Sequence, residues 1–241
     1  MTALRVGLVG AYDPAYPRNL ILRRGLALHG ASVVECNAPR EMNTVRRARA
    51  LRRGFPSIAD QCDLILLAEF GQALALPVWR LARRYRKRLV IDAFTPIYDS
   101  AVYDRGVASP RSLTAWRYWL MDWLAVRLAH RVLVDTASHR DYYVRAFGAR
   151  PDRVSVLPVG ASREWFETPP ASHERQGTLV QFYGSYIPLH GAEIILHTAY
   201  TLRGRADIHF ELIGRGQTYA AMRALSRDLS LTNVAFRDPV P

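Results

Sequence analysis

Asp63-Leu-Ile-Leu-Leu-Ala68 is the stretch on which the fold turns. Four consecutive branched aliphatic residues leave no polar face, so a strand built from them needs apolar cover on both sides, as in a parallel sheet between helices. Towards the N-terminus, Leu4–Gly10 reads as a similar buried strand. A loop with Pro14 and Pro17 leads from it into Asn19–His29, where Leu20, Leu22, Leu26 and Leu28 fall at helical spacing before Gly30 stops the helix. Ala31–Cys36 is the next strand and 44–54 a basic helix. Towards the C-terminus, a helix over 76–85, a strand over 88–92, an aromatic helix over 111–129, a strand over 132–135, a helix over 138–147 and a strand over 154–157 follow. Strands alternating with helices imply right-handed crossovers and a doubly wound parallel sheet.

The pattern breaks at Pro158, Gly160, Pro169 and Pro170, and a second βα series begins: strand 178–183, helix 191–202, strand 208–213, helix 219–229, strand 234–236. The expected organisation is an N-terminal domain over 1–160, a linker over 161–176 and a partial second domain over 177–241. Three strands make a small sheet, expected to keep an open apolar edge.

Composition narrows the class. The chain has 241 residues, 49% hydrophobic and 22% charged. That balance excludes a long disordered tail, a collagen-like chain and a coiled coil. No apolar run approaches the roughly 18 residues of a spanning helix. Met1-Thr-Ala-Leu-Arg5 enters the first strand with no basic, apolar secretory leader, and Cys36 and Cys62 form neither a disulfide framework nor a metal spacing. The expected compartment is the cytoplasm. Charge is unevenly placed: residues 1–160 carry 25 basic and 13 acidic groups, residues 161–241 eight of each, so the net +12 lies wholly in the first part. Such a field attracts anionic lipid, phosphorylated substrates or nucleic acid. Arg46, Arg49 and Arg53 share a helix face, and Arg83, Arg84, Arg86, Lys87 and Arg88 form a second basic run. Both read either as solvated surface or as contacts to an anionic membrane surface. The second expectation places the protein peripherally on the inner face of the membrane. No helix-turn-helix, zinc finger, RRM or KH signature accompanies the charge, so nucleic acid is not an expected partner.

Candidate site residues cluster where strands end, since open parallel sheets bind ligands at their carboxyl ends. Gly10-Ala-Tyr-Asp-Pro-Ala-Tyr-Pro-Arg-Asn19 lacks GxGxxG, which argues against a dinucleotide. Arg18 and Asn19 open a helix and suit an anionic or hydroxylic ligand, or simply cap it. Asp92-Ala-Phe-Thr-Pro-Ile-Tyr-Asp-Ser100 offers Asp92 and Asp99 as candidate catalytic carboxylates, with Tyr98 and Arg105 beside them; turn capping is the plainer role for Asp99 and Asp104. Asp135-Thr-Ala-Ser-His139 places His139 in a first helical turn, with Asp135 or Thr136 as its cap. Trp116, Trp119 and Trp123 share a helix face, which reads as core or interdomain packing, or as a lipid or acceptor contact. Tyr183-Gly-Ser-Tyr-Ile-Pro-Leu-His-Gly191 runs strand, bare loop, helix; Ile213-Gly-Arg-Gly-Gln217 repeats the logic one unit later. The pair suits a nucleotide, with the helix N-terminus after Gly191 turned to phosphate.

Together these segments, with Val156-Leu-Pro-Val-Gly160 before the crossover and Leu212-Ile-Gly-Arg-Gly216, resemble a retaining GT-B glycosyltransferase of the large mannosyl- and glucosyltransferase family. The resemblance implies two Rossmann-like doubly wound domains facing a cleft, the second incomplete. It implies transfer of a sugar from a nucleotide-diphosphate sugar, with retention, to an acceptor held by the first domain. No metal and no cofactor are implied beyond the nucleotide sugar as co-substrate. Gly184, Ser185, Tyr186, His190, Gly191, Gly214, Arg215 and Gly216 would border the donor; Arg18, Asn19, Tyr98, Arg105 and His139 the acceptor. The charge asymmetry suggests an anionic or lipid-linked acceptor. Two features depart from the family. Ser185 and His190 stand where an Arg and a Lys usually grip the diphosphate. The paired-glutamate motif and the final helix that crosses back are absent. A truncated enzyme, or one completed by a partner subunit or self-association, is the resulting expectation; the rival is a non-catalytic subunit that binds a nucleotide or a partner protein.

Overall fold

The computed structural model describes residues 3–161, 164–167 and 177–239, so most of the expected linker lies outside the described residues. The chain divides into two compact units, Met1–Ala101 with Ala108–Thr168, and Val102–Val107 with Pro169–Pro241.

The first unit is a six-stranded, all-parallel sheet in the order β2-β1-β3-β4-β5-β6. Its strands are β1 (Arg5–Gly10), β2 (Ser32–Asn37), β3 (Leu64–Leu67), β4 (Arg88–Phe94), β5 (Arg131–Val134) and β6 (Val154–Val156). Its helices are α1 (Pro17–Leu28), α2 (Thr44–Gly54), α3 (Ala75–Arg84), the single turn α4 (Ile97–Asp99), α5 (Leu113–Leu128), α6 (Ala137–Phe147) and the short α7 (Glu164–Glu167). Local chemistry sets several boundaries. Asn43 caps α2 by accepting from the Arg46 N–H at 3.0 Å, Ser112 caps α5 through Ala115 and Thr136 caps α6 through His139. Helices α2, α3, α5 and α6 cover one face around Ile65, Leu67, Leu89 and Ile91; α1 packs on the other against Leu8 and Leu66. Trp119 and Trp123 stack at 6.3 Å and pack on the larger core, whereas Trp116 is exposed. Cys36 and Cys62 are buried and free.

The chain leaves β1 towards β2 on one side and returns to β3 on the other. The order therefore reverses between β1 and β3, and the loops after these strands part to opposite faces. This is the crevice where doubly wound sheets take ligands.

The second unit carries β7 (Thr178–Tyr183), β8 (Ile208–Ile213) and β9 (Val234–Arg237) in sequential parallel order, with α8 (Ala192–Thr201) and α9 (Tyr219–Asp228) as crossovers. Both helices lie over one face, around Leu196, Phe210, Leu212 and Met222. The opposite face mixes apolar residues, among them Tyr183, with a polar belt. There Gln181 donates to Glu211 at 2.8 Å and Arg237 to the other Glu211 oxygen at 2.8 Å, a belt across three strands. No described helix is long and apolar enough to cross a membrane.

Candidate functional site

At the reversal point of the first sheet, polar side chains are buried rather than displayed. Arg18 Nε and Nη2 each donate to a different oxygen of Asp92 at 2.7 Å, and the two side chains are 4% and 0% exposed. A third bond runs from Arg18 to the Leu157 carbonyl, and the guanidinium sits 4.5 Å over the Phe94 ring. Burial raises the Asp92 carboxyl and the two bonds from Arg18 oppose that rise. The pair thus anchors α1 to the end of β4. Asp92, expected as a catalytic carboxylate, presents no oxygen to solvent, and Arg18, expected as an acceptor contact, keeps its charge buried. The physical reason is mutual: each ion is held under the sheet end only because the other neutralises it.

Next to this pair is a residue the sequence did not single out. Glu69, two residues beyond β3, is 9% exposed, and its Oε2 has no hydrogen-bond partner. Burial lifts its carboxyl to about 7, against the pull of a bond from Asn19. Asn19 is fully buried; its Nδ2 donates to the Asp13 carbonyl at 2.8 Å and its Oδ1 is unpartnered. Two aromatic residues flank these groups in the left-handed backbone region, Phe70 (φ 54°) and Phe94 (φ 60°), their rings edge to face at 5.2 Å. Each such conformation costs on the order of 1–3 kcal/mol. Unpartnered buried polar atoms, a carboxyl that titrates near neutrality and strained backbone therefore coincide at the reversal point.

A second buried network fixes the Asp92–Ser100 loop. Asp122, fully buried on α5 and lifted to about 6 by burial, accepts from the Tyr98 N–H at 2.8 Å and from the Tyr143 hydroxyl at 2.9 Å. Gln72 Nε2 donates to the carbonyls of Ala93 and Thr95. Asp99 ends α4 half-buried and leads into one π turn, Ser100–Asp104. Arg105 follows that turn and groups with the second unit, where its carbonyl accepts from Gln217 Nε2 at 2.9 Å. At the end of β5, His139 Nδ1 lies 2.5 Å from Asp135 Oδ1. Thr136 takes the capping role, which frees Asp135 to orient the imidazole and leaves Nε2 as its other ring nitrogen. The four-residue spacing was the available signal for this pair.

In the second unit the two turns lie edge to edge. Gly184 N–H donates to the Ile213 carbonyl at 3.0 Å, Tyr186 N–H to that of Arg215 at 3.1 Å, and Thr218 N–H to that of Tyr186 at 2.8 Å. Gly214 and Gly216 are required by this contact: a Cβ at Gly214 would lie 2.0 Å from the Gly184 oxygen, and one at Gly216 2.6 Å from the Tyr186 nitrogen. Their bareness serves the neighbouring turn as much as any ligand. Tyr186 is fully buried against Phe182 and Tyr219, its hydroxyl unpartnered and pushed up to about 12 by burial, so its side chain belongs to the core and not to a donor surface. Ser185 and His190 are exposed, the His190 ring edge-on to Phe182. Gly191, left-handed at φ 63°, opens α8 with no side-chain cap. Arg215 is engaged by Asp238 at 2.8 Å and lies 4.3 Å over Tyr219. Glu193 adds an acidic group to the first turn of α8. Among the described residues, no group of three or more His, Cys, Asp or Glu is arranged to hold a metal ion.

Two parallel units, each with glycine-bearing or buried-polar turns at its strand ends, match solved structures over nearly the whole chain. HepE of Anabaena, in complex with UDP and glucose, superposes with a TM-score of 0.70 at 15% identity over 99% of this chain and 70% of that one. WaaG, a glycosyltransferase involved in lipopolysaccharide biosynthesis, gives 0.64 at 14% identity over 98% and 70%. The lipopolysaccharide outer core galactosyltransferase WaaB gives 0.59 at 11% over 98% and 68%. The chain has the GT-B fold. Its second unit shows three strands with both described crossover helices on one face, and the chain spans about 70% of those structures' length. No protein-family model and no curated protein matches the sequence.

Proposed function

We propose that this GT-B chain transfers a sugar from a nucleotide-diphosphate sugar to a hydroxyl acceptor, with retention at the anomeric carbon. The observation that carries this reading is the pair of interlocked turns at the ends of β7 and β8, beside the uncapped N-terminus of α8. The N–H groups of the turns are largely spent on holding them together, so it is the first turn of α8, with no side-chain cap, and its dipole that favour a diphosphate, more so as charge builds on the leaving group. His190 adds a donor beside Gly184. No residue here supplies a fixed positive charge at Ser185, so rate enhancement rests on positioning and on dipoles. On the acceptor side, the reading assigns hydroxyl contacts to His139, oriented by Asp135, and to the Tyr98–Asp99 turn, with Arg18, Asp92 and Asn19 as the scaffold beneath them. Glu69, with a carboxyl near 7, is the group there able to exchange a proton at neutral pH.

The probe is UDP-glucose, which is bound in another HepE complex. The full chain is expected to bind it saturably, and His190→Ala to weaken binding about tenfold, the scale of one charge-assisted hydrogen bond. Absence of saturable binding of any nucleotide sugar at millimolar concentration would overturn the reading. A non-catalytic binding subunit is the second reading, favoured by Ser185, by Glu193 in the α8 first turn and by Arg215 being tied to Asp238. Binding without turnover, in the presence of a range of hydroxyl acceptors, would select it. The net charge of the first part further suggests an anionic or membrane-linked acceptor. Co-sedimentation with anionic but not neutral vesicles is the expected result.

A further inference from the structure

At the pole of the first sheet opposite its carboxyl ends, an open hollow of about 650 Å³ lies where β4 and β5 begin. Its wall carries the exposed side chains of Arg83, Arg86, Arg88, Arg127 and Arg153; among the described residues none of the five forms an ion pair with a carboxylate, and Asp152 lies within electrostatic reach of Arg153 alone among them. Lys87, also on the wall, is tethered to the Cys62 carbonyl at 2.7 Å. Arg83 and Arg127 lie over Trp79 and Trp123, at 5.8 and 5.4 Å from the ring centroids. His130 accepts the Leu89 N–H on Nδ1 at 3.0 Å, which puts its own proton on Nε2 as a further donor.

The plain explanation is that these arginines answer the negative ends of α3 and α5, which both finish here. The magnitudes do not balance. Two helix C-termini present about half a negative charge each, against five guanidinium groups. Water and salt screen the excess only in part, and an anion entering the hollow would relieve it.

One backbone detail points the same way. Arg86 N–H donates to the Arg83 carbonyl and Lys87 N–H to that of Ala82, a Schellman closure of α3. Arg86 is the left-handed residue of that closure, at φ 54°. Glycine fills this position without strain. An arginine held there works against the local backbone, and its side chain lines the hollow.

We propose that this hollow binds a multiply charged phosphate-bearing anion, at a site separate from the turns assigned to the nucleotide sugar. Planar, forked guanidinium groups suit phosphate oxygens in pairs. The ligand is either a soluble phosphate ester or the phosphorylated headgroup of a lipid, and one set of measurements separates them. Inorganic pyrophosphate is titrated into the full chain, followed by calorimetry and by thermal shift. Vesicles of phosphatidylglycerol and of phosphatidylcholine form the second arm, with and without pyrophosphate. The expected result is saturable pyrophosphate binding, weakened about tenfold or more by Arg86→Gly and again by Arg153→Gln, the scale of one charged hydrogen bond. Without ligand, Arg86→Gly is expected to melt above the parent chain, because the strain and the repulsion both fall. Vesicle binding that pyrophosphate displaces identifies a headgroup; pyrophosphate binding with no vesicle binding identifies a soluble ester. Pyrophosphate affinity unchanged in both variants, no saturable binding, or a lower melting temperature for Arg86→Gly would each overturn the proposal.

Discussion

The two units finish their strands in opposite ways. At the β1–β3 reversal, the first unit buries charged and polar side chains: Arg18 on Asp92, Glu69 beside Asn19, with Phe70 and Phe94 forced into left-handed backbone. At the ends of β7 and β8, the second unit buries almost no charge. It presents main chain, and the fit is set by how closely Gly214 and Gly216 let one turn approach the other. The difference has a physical meaning. Backbone N–H groups recognise a shared feature such as a phosphate, whatever carries it. Side chains set in place by burial recognise one arrangement of hydroxyls, because a mismatched ligand leaves buried polar groups unpaired. On the function proposed above, the second unit suits a common donor and the first a particular acceptor.

Four substitutions break or sharpen this contrast. Arg18→Met removes one ion from a buried pair and leaves Asp92 uncompensated; it is expected to destabilise by about 3–5 kcal/mol in urea unfolding. A loss below 1 kcal/mol would mean the pair is not holding the reversal point. Glu69→Gln comes next. The Glu69 carboxyl is raised from 4.5 to about 7 in the fold, so the native state binds the extra proton. Its stability is therefore full below pH about 4.5 and falls as pH rises towards 7, a loss of roughly 3 kcal/mol. Glu69→Gln should leave stability at pH 4.5 nearly unchanged, raise it at pH 8, and flatten the profile between. An unchanged profile would show that Glu69 is solvated.

In the second unit, Tyr186→Phe removes a buried hydroxyl with no partner. It should stabilise by about 1–2 kcal/mol without altering nucleotide-sugar affinity, as a core residue would; a loss of affinity would return Tyr186 to the donor surface. The smallest effect is expected from Glu193→Gln. Removing an acidic side chain from the exposed first turn of α8 should tighten nucleotide-sugar binding about two- to fivefold at low salt, and less at high salt.

Much of the architecture was legible before folding. The run at Asp63–Ala68, the helical leucines before Gly30 and the bare turns after β7 and β8 each carry a local signal, either a periodicity or a residue type with one conformational use. Glu69 carries none. It follows Leu66-Leu67-Ala68 like an ordinary strand-ending acid, and its burial against Asn19, 50 positions earlier, shows only in the fold. Asp92 read as an available carboxylate because its partner lies 74 positions away in Arg18. Tyr186 sat within a bare loop, so its turn into the core was invisible until Phe182 and Tyr219 were in place. Arg86 read as one more member of a basic run. Its left-handed backbone depends on how α3 closes.

The sequence by itself determined where strands and helices fall, that the sheets are parallel, and that the net positive charge lies in the first part. These are properties of neighbours along the chain, governed by hydrophobic period, glycine and proline. Tertiary structure alone decided which of the charged groups are neutralised in the interior and which stand unpaired around a hollow. That outcome depends on contacts between residues distant in sequence, and on the cost of taking each charge out of water.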